Sequence, residues 1–352
     1  MDLLDKAKTA REGEEIDPEA VARYLEKTVP GFIGPLTILQ YPSGHSNLTY
    51  LLKAGEREMV LRRPPIGTKA KTAHDMGREF RILSALSPHF PCPRPLAYCE
   101  DPAVMGCPFY VMEKISGIIL RKDFPPELGM TPDRVRKLCE NLIALQAKLH
   151  MLPVEEMGLS DFGKPEGYVQ RQVEGWSKRY RNARTEDAPD FEKIMQWLAA
   201  SLPGGPARAA IIHGDYKFDN VILDPADPLK IIGVLDWEMA TVGDPLMDLG
   251  SSLAYWVQAD DPEEVQAVRM MPTDAPGALK RSEMVRLYEE ITGTKIENFA
   301  FYHCFGLFRL AVIAQQIYYR FFHGQTKDPR FARLIFAVHI LEQAADQVVR
   351  GA

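Results

Sequence analysis

One stretch of the chain, residues 211–250, places polar residues at fixed positions between short apolar runs. Two apolar residues precede the tripeptide HGD at residues 213–215, and a second apolar run begins directly after Asn220. A third apolar run, residues 231–235, ends immediately before Asp236. Apolar runs of this length, bounded by turn residues, predict short buried strands. The pattern therefore predicts a hairpin that carries polar side chains at the ends of its strands.

These polar side chains have the chemistry that phosphoryl transfer from a nucleotide needs. Asp215 is a carboxylate that can accept a proton from a hydroxyl, and Lys217 can place a positive charge on a phosphate. Asn220 and Asp236 offer hard oxygen ligands, which suit Mg²⁺. Phosphoryl transfer asks the protein for positioning and charge neutralisation, with little covalent chemistry. We therefore predict Asp215 as the general base, with Asn220 and Asp236 as metal ligands.

The spacing of these residues resembles that of a known family. They form the pattern HGDxKxxN, followed sixteen residues later by an aspartate, and its polar members are His213, Asp215, Lys217, Asn220 and Asp236. This pattern resembles the catalytic loop and metal aspartate of the aminoglycoside phosphotransferase and choline kinase-like family. Protein kinases share the spacing from the aspartate through the lysine to the asparagine. The resemblance implies that His213, Asp215 and Lys217 are catalytic residues.

The same resemblance implies an α+β fold of the protein-kinase type with two lobes. It covers about residues 30–345, which is nearly the whole chain. We expect residues 1–30 to be a helical extension and residues 31–114 to be a small, β-rich nucleotide-binding lobe. Residues 115–352 are then expected to be a larger, mainly α-helical lobe for catalysis and substrate binding.

In the first lobe of this family, a small polar turn covers the nucleotide phosphates. The resemblance gives this place to the turn that contains Ser43, Gly44, Ser46 and Asn47. Small residues let backbone N–H groups approach anionic oxygens closely. We therefore predict these four residues as part of the nucleotide site.

The resemblance implies four more nucleotide-site residues. Arg62 ends a predicted strand where protein kinases have a phosphate-binding lysine, and the family pattern allows the arginine the same task. Glu79, on the predicted helix that follows, is the expected partner of Arg62. Glu113 and Lys114 follow a buried strand at the point where backbone groups meet the nucleotide base.

A basic segment, residues 168–184, stands out in a chain with a net charge of -6. It carries five basic side chains against one acidic side chain, a local charge of +4. Such a segment is either a solvated helix face or a patch that attracts an anionic substrate and repels a polycation. The candidate substrate residues in it are Arg171, Trp176, Arg179 and Arg181.

Two local patterns resemble one branch of the family. They are the sequence RQVxGW at residues 171–176 and the strand end LRRPP, and both are similar to the kinase domains fused to acyl-CoA dehydrogenases. That branch is linked to phosphorylation of hydroxyacyl-CoA. The resemblance therefore implies a kinase that uses ATP or GTP with Mg²⁺ and phosphorylates an anionic alcohol, such as a hydroxyacyl-CoA or a hydroxy acid.

Three alternatives stay open from the sequence. The first is an aminoglycoside or amino-alcohol O-phosphotransferase, and the second is a catalytically inactive nucleotide-binding protein. The third is a metal-dependent hydrolase built on His213, Asp215, Asp236 and His150. An asparagine five residues after the aspartate has no task in such a hydrolase.

Other parts of the chain predict structure instead of chemistry. His150 is expected in the core, and Asp248 is expected to accept hydrogen bonds beneath the catalytic loop. The triplet Asp161-Phe162-Gly163 spells the protein-kinase metal motif but precedes the catalytic loop, so we interpret it as coincidence. Residues 258–280 are predicted to be a loop.

Composition excludes several classes of partner. The negative net charge gives no reason to expect a nucleic acid, and no apolar run approaches the length of a membrane span. The charged N-terminus lacks the apolar region of a secretory signal. The five cysteines lack C-x-x-C spacing, which favours reduced thiols in a cytoplasmic protein. The expected partner is a small-molecule alcohol, and the sequence does not give the oligomeric state.

Overall fold

The computed structural model of the chain describes residues 7–41, 47–65, 75–204 and 209–352. This part of the chain is a mixture of α-helices and short β-strands. None of the helices in these residues combines the length and the apolar character that a membrane span requires. All five cysteines are free thiols.

The strands are short and pair in antiparallel fashion. In the described chain they are β1 (Thr37–Gln40), β2 (Leu48–Ala54), β3 (Arg57–Arg63), β4 (Pro95–Cys99), β5 (Phe109–Glu113), β6 (Ala210–Ile212), β7 (Val221–Leu223), β8 (Ile231–Val234) and β9 (Thr241–Gly243). The first five form one sheet in the order β1-β2-β3-β5-β4. The others form two pairs, β6 with β9 and β7 with β8.

Helices dominate the second half of the chain. In the described residues they are α1 (Pro18–Thr28), α2 (Met76–Leu86), α3 (Pro102–Met105), α4 (Pro132–Met151), α5 (Tyr168–Ala183), α6 (Glu192–Ala200), α7 (Pro245–Ala254), α8 (Glu263–Ala267), α9 (Arg281–Thr292), α10 (Phe299–Phe322) and α11 (Leu334–Gly351).

The chain divides into two compact units. Their segments are Met1–Ile119 with Asn220–Ala240 in the first, and Leu120–Asp219 with Thr241–Ala352 in the second. The sequence-based division did not separate the β7–β8 hairpin from the residues around it. The hairpin packs with the first unit because Ile118 and Leu223 exchange two backbone hydrogen bonds, at 2.9 and 2.8 Å. The boundaries expected at residues 30 and 114 remain a prediction about domains.

Alternation along β3 and β5 separates the core of the first unit from its polar face. Leu61 and Val111 are cross-strand partners and are fully buried in the cluster that includes α1. The next pair, Arg62 and Tyr110, points to the opposite face because successive strand residues alternate. Glu79 of α2 packs on this face. The alternation of side chains along β3 therefore brings the buried Arg62 next to the Glu79 carboxylate.

In the second unit, α7 and α10 pack with their backbones in close contact. A Cβ atom added to Gly250 would lie 2.2 Å from the carbonyl oxygen of Tyr302, and one added to Gly306 would lie 2.3 Å from the carbonyl oxygen of Gly250. Only glycine permits this approach at either position. Arg309 follows Gly306 by three residues, so the crossing fixes the part of α10 that carries Arg309.

One sequence expectation needs correction, and another is confirmed. Residues 258–280 are not entirely loop, because they contain α8, and Arg269 ties the segment down by ion pairs with Asp123 and Asp274 at 2.8 and 3.0 Å. The predicted hairpin of β7 and β8 is confirmed. The strand before the catalytic loop, β6, lies outside that hairpin and pairs with β9 instead, 29 residues away at Thr241.

Candidate active site

A buried arginine at the end of β3 is the centre of a polar cluster in the first unit. Arg62 Nη1 lies 2.8 Å from Glu79 Oε1, so the predicted ion pair is present. Arg62 Nη2 lies 2.6 Å from Asp236 Oδ1 and 3.3 Å from Glu238 Oε2. Burial alone would lower the pKa of Arg62, but the Glu79 and Asp236 carboxylates raise it well above its ordinary value. The guanidinium is therefore a fixed positive charge.

One donor of this guanidinium has no partner within the described residues. Arg62 Nε makes no hydrogen bond there, although the residue is only 8% exposed. A buried donor without an acceptor costs free energy, so such an atom is unusual in a folded protein. The cluster therefore offers a hydrogen-bond donor to an oxygen that is supplied from outside the chain.

The β7–β8 hairpin brings the two predicted metal ligands to one end. Val221 pairs with Val234, and the amide of Leu235 donates a hydrogen bond to the carbonyl of Asn220 at 2.8 Å. Asp236 follows directly with φ of 67°, a left-handed conformation that is uncommon for a residue with a side chain. Such strain is concentrated at functional sites. One end of the hairpin therefore carries Asn220 and Asp236, the amide and the carboxylate that are predicted to bind the metal.

Glu238 joins this cluster to the predicted phosphate turn. Asn47 Nδ2 donates a hydrogen bond to Glu238 Oε2 at 2.9 Å. The other predicted turn residues, Ser43, Gly44 and Ser46, lie outside the described residues. Sequence analysis missed Glu238; the available signal was its position two residues after Asp236, in a single 3-10 turn over Trp237–Met239.

The side chains of Glu113 and Lys114 contact other residues of the first unit. Glu113 pairs with Arg94, and Lys114 pairs with Glu58. The Glu113 amide donates to the carbonyl of Arg94 at 2.8 Å. The role expected at this position uses backbone groups, so these ion pairs do not conflict with it, and the nucleotide contact stays a prediction.

In the second unit, a buried carboxylate holds the turn that follows β6. Asp248 accepts hydrogen bonds from the amide of Gly214 at 2.7 Å and the amide of His213 at 3.2 Å. His150 Nε2 lies 3.0 Å from Asp248 Oδ2, and His150 Nδ1 lies 2.8 Å from the hydroxyl of Tyr288. Burial opposes ionisation, but these hydrogen bonds and the histidines lower the pKa of Asp248 to about 2. The expected structural roles of Asp248 and His150 are confirmed.

The predicted base and its lysine form a compact pair in the same unit. Lys217 Nζ lies 2.6 Å from Asp215 Oδ2 and 3.7 Å from Asp219 Oδ1. It also lies 4.6 Å from the centre of the Tyr255 ring. Burial would lower the pKa of Lys217, but Tyr255 and the two aspartates raise it. Lys217 is therefore a charged donor beside the Asp215 carboxylate.

His213 acts on this turn through its ring nitrogen. The amide of Asp215 donates a hydrogen bond to His213 Nδ1 at 3.1 Å, and the histidine is fully buried. This contact orients the backbone at Asp215 and leaves the imidazole without exposure to solvent. The geometry favours a positioning role for His213, because a buried ring cannot meet a substrate directly.

An arginine pair faces one tryptophan near the same turn. Arg309 Nη2 donates to the carbonyl of Gly214 at 2.6 Å, and its guanidinium carbon lies 5.2 Å from the Trp176 ring. Arg179 lies 4.6 Å from the same ring. Burial and the nearby Arg309 charge both lower the pKa of Arg179. Two like charges on one ring create a local preference for an anion.

The remaining predicted substrate residues contact other partners. Arg171 donates to the carbonyls of Lys164 and Glu166. Arg181 forms a two-bond pair with Glu192, at 2.9 and 2.7 Å. The structure therefore brings Arg179 and Trp176 together and separates Arg171 and Arg181 from them.

Comparison with known proteins is consistent with this arrangement. A profile of the phosphotransferase enzyme family matches residues 37–280. Acyl-CoA dehydrogenase family member 10 of Mus musculus is 37% identical over 312 residues, which cover 86% of this chain and 29% of that protein. The chain thus spans less than a third of that relative.

Solved structures show the same fold. A Ralstonia eutropha protein assigned as an aminoglycoside phosphotransferase superposes with a TM-score of 0.82 at 31% identity, covering 96% of this chain and 99% of that chain. Choline kinase from Cryptosporidium parvum superposes with a TM-score of 0.64 at 12% identity, covering 95% of this chain and 96% of that chain. The predicted kinase-like α+β fold is confirmed.

The family profile spans more than half of the chain, and the family consists of phosphotransferases. The enzyme class expected from the HGDxKxxN pattern is therefore confirmed as well. The chain belongs to the phosphotransferase enzyme family.

Proposed function

We propose that this protein is a kinase that transfers the γ-phosphate of ATP, or of GTP, to a hydroxyl group of an anionic small molecule. The observation that carries this proposal is the contact between Arg62 and Asp236 at 2.6 Å. Through this contact the Arg62 guanidinium, a positive charge suited to phosphate oxygens, lies beside the Asp236 carboxylate, which is predicted to hold the metal. A cation beside a hard anionic ligand suits the recognition of a metal–phosphate group.

Within the first unit, four residues have a proposed task. Asn220 and Asp236 would hold Mg²⁺, since hard oxygen donors at one end of a hairpin fit that ion and phosphates would complete its coordination. When bound there, Mg²⁺ supplies neutralisation of phosphate charge. Arg62 would bind phosphate oxygens with Nε, which has no partner in the described part of the chain, while Glu79 keeps the guanidinium in place.

Within the second unit, Asp215 is the proposed base. Its carboxylate would orient the acceptor hydroxyl and accept its proton as the oxygen attacks phosphorus. Lys217 would stabilise the negative charge on the transferred group, because its ammonium lies 2.6 Å from Asp215 Oδ2. His213 and Asp248 would act as positioning residues that fix the backbone around Asp215.

Two observations support an anionic acceptor. Arg179 and Arg309 present two positive charges on the Trp176 ring, close to the turn that carries Asp215. A polycation would be repelled there, whereas a carboxylate or phosphate would be attracted. The similarity to an acyl-CoA dehydrogenase family member supports a CoA thioester as the acceptor. We therefore propose a hydroxyacyl-CoA, ahead of a simple hydroxy acid.

The test is ADP release by the purified chain with Mg·ATP and a panel of alcohols. The panel contains hydroxyacyl-CoA esters, free hydroxy acids, amino alcohols and aminoglycosides. We expect ADP release to depend on an added anionic alcohol. Efficient phosphorylation of aminoglycosides with no response to CoA esters or hydroxy acids would support the amino-alcohol alternative. Nucleotide binding without any turnover across the panel would support an inactive nucleotide-binding protein.

A further inference from the structure

Glu238 is a carboxylate on Arg62 to which the proposed function gives no task. Glu79 pairs with Nη1, and Asp236 is the proposed metal ligand on Nη2. Glu238 lies 3.3 Å from the same Nη2, and its side chain is 17% exposed. The four side chains together carry one positive and three negative charges, a formal charge of -2.

This negative formal charge disfavours the binding of a nucleotide that carries no metal ion. The phosphates of free ATP are anionic, so three carboxylates around one guanidinium repel them. A divalent cation on Asp236 reverses much of this effect, because it offsets the excess charge of the cluster. Glu238 adds to the repulsion without being needed as the partner of Arg62, which Glu79 already pairs.

The same carboxylate also accepts a hydrogen bond from Asn47, the last of the four residues predicted for the phosphate turn. Asn47 is 2% exposed and donates to Glu238 Oε2 at 2.9 Å. One carboxylate oxygen thus contacts both Asn47 and Arg62. A change of charge at Glu238 can therefore be separated from a change of its hydrogen bonds.

We propose that Glu238 is a positioning residue whose negative charge increases the dependence of nucleotide binding on the divalent cation. This inference rests on the proposed nucleotide site. It extends that proposal, because it assigns the discrimination between free and metal-bound nucleotide to a single carboxylate. The discrimination arises from charge, whereas the contact with Asn47 is a hydrogen bond that an uncharged acceptor can also receive.

The experiment compares ATP affinity in EDTA with ATP affinity in Mg²⁺, by calorimetry and without an acceptor. The measured quantity is the ratio of the Kd in EDTA to the Kd in Mg²⁺. In Glu238→Gln, an amide oxygen can still accept from Asn47, but the charge is lost. We expect the ratio to fall about tenfold, mainly because free ATP binds more tightly. The fall should shrink when salt is raised from about 0.05 to about 0.5 M.

Three further variants separate charge from structure. Glu238→Asp keeps the charge and shortens the side chain, so its ratio should remain within about threefold of the wild-type value. Asn47→Ala removes the hydrogen bond to Glu238 and keeps the carboxylate charge, so it should weaken both affinities by a similar factor and leave the ratio unchanged. Glu56→Gln, at an exposed turn of the same unit, is the matched control and should change neither affinity.

The outcomes distinguish this inference from the proposed function. An unchanged ratio in Glu238→Gln, with wild-type binding intact, would overturn the role of Glu238 and leave the kinase proposal standing. An equal fall in Glu238→Asp and Glu238→Gln would also overturn it, since geometry and not charge would then be responsible. A wild-type protein that binds no nucleotide in either condition would overturn both.

Discussion

Arg309, on α10, donates a hydrogen bond from Nη2 to the backbone carbonyl of Gly214 at 2.6 Å, one residue before the proposed base. Ninety-five positions separate the two residues in the sequence. The arginine is only 5% exposed, and its guanidinium also packs near the Trp176 ring. Arg309 therefore connects the backbone of the catalytic turn to the predicted acceptor side of the second unit.

Replacing Arg309 should test that connection. Arg309→Lys keeps the charge but cannot reproduce the planar donor geometry, so the turn at Asp215 loses a fixed contact. We expect kcat to fall about tenfold or more, because small displacements of a catalytic group are costly. Nucleotide Kd should be unchanged. Arg320→Lys, at an exposed position on the same helix, is the control, and an equal loss in both variants would contradict this role.

The role of Asp215 can be tested by removing its charge alone. Asp215→Asn should lower kcat by about 10²–10⁴-fold, the usual contribution of general base catalysis. Mg·ATP binding should persist, since the proposed metal ligands are other residues. Asp260→Asn, in an exposed ion pair with Lys280, serves as the matched control. Turnover of the Asp215 variant near the wild-type rate would rule out the assignment.

Arg62 is expected to be intolerant of lysine. The guanidinium contacts Glu79 and Asp236 through different nitrogens, at 2.8 and 2.6 Å, and a single ammonium cannot occupy both places. Arg62→Lys should weaken Mg·ATP binding by about tenfold or more, as seen by calorimetry. Arg57→Lys, at the other end of β3, is the control. Equal affinities in the Arg62 variant and the wild type would show that phosphates bind elsewhere.

Two arginines that lie two positions apart should contribute differently to acceptor binding. Arg179 packs on Trp176, whereas Arg181 is neutralised by Glu192. Arg179→Glu should raise the KM of an anionic acceptor about tenfold or more, with little change in the KM of ATP. Arg181→Glu should raise the acceptor KM by a much smaller factor. Similar effects of both substitutions would indicate a diffuse field and argue against a defined contact at Arg179.

Asp248 should link stability to pH. Folding lowers the pKa of its carboxyl from 3.8 to about 2, so its stabilisation is fully present above pH 3.8. The stabilisation is lost as pH falls through the folded-state value. The depression corresponds to about 2 kcal/mol of unfolding free energy. The free energy of unfolding can be measured with urea for the wild type and for Asp248→Asn, from pH 6 downward. The difference between the two free energies should become smaller below about pH 3.8. A constant difference would contradict the assignment.

The sequence by itself determined the local chemistry. Asp215 and Lys217 lie two positions apart, so one turn carries both side chains, and Asn220 directly precedes the apolar run that predicted β7. Short apolar runs likewise predicted β7 and β8, because a buried strand needs only a few apolar residues between turn residues. The pair of Arg62 and Glu79 followed from the resemblance, which fixed a strand end and a helix in advance.

Only the tertiary structure decided which distant side chains complete these local elements. Glu238 contacts Arg62 across 176 positions, and Arg309 contacts Gly214 across 95. No local periodicity encodes such contacts, since they depend on how helices and hairpins pack. The basic segment shows the same limit: its charge was visible in the sequence, but the partner Glu192 lies on α6 and neutralises Arg181 while Arg179 packs on Trp176. Charge and spacing are properties of the chain, whereas the partner of each charge is a property of the packed structure.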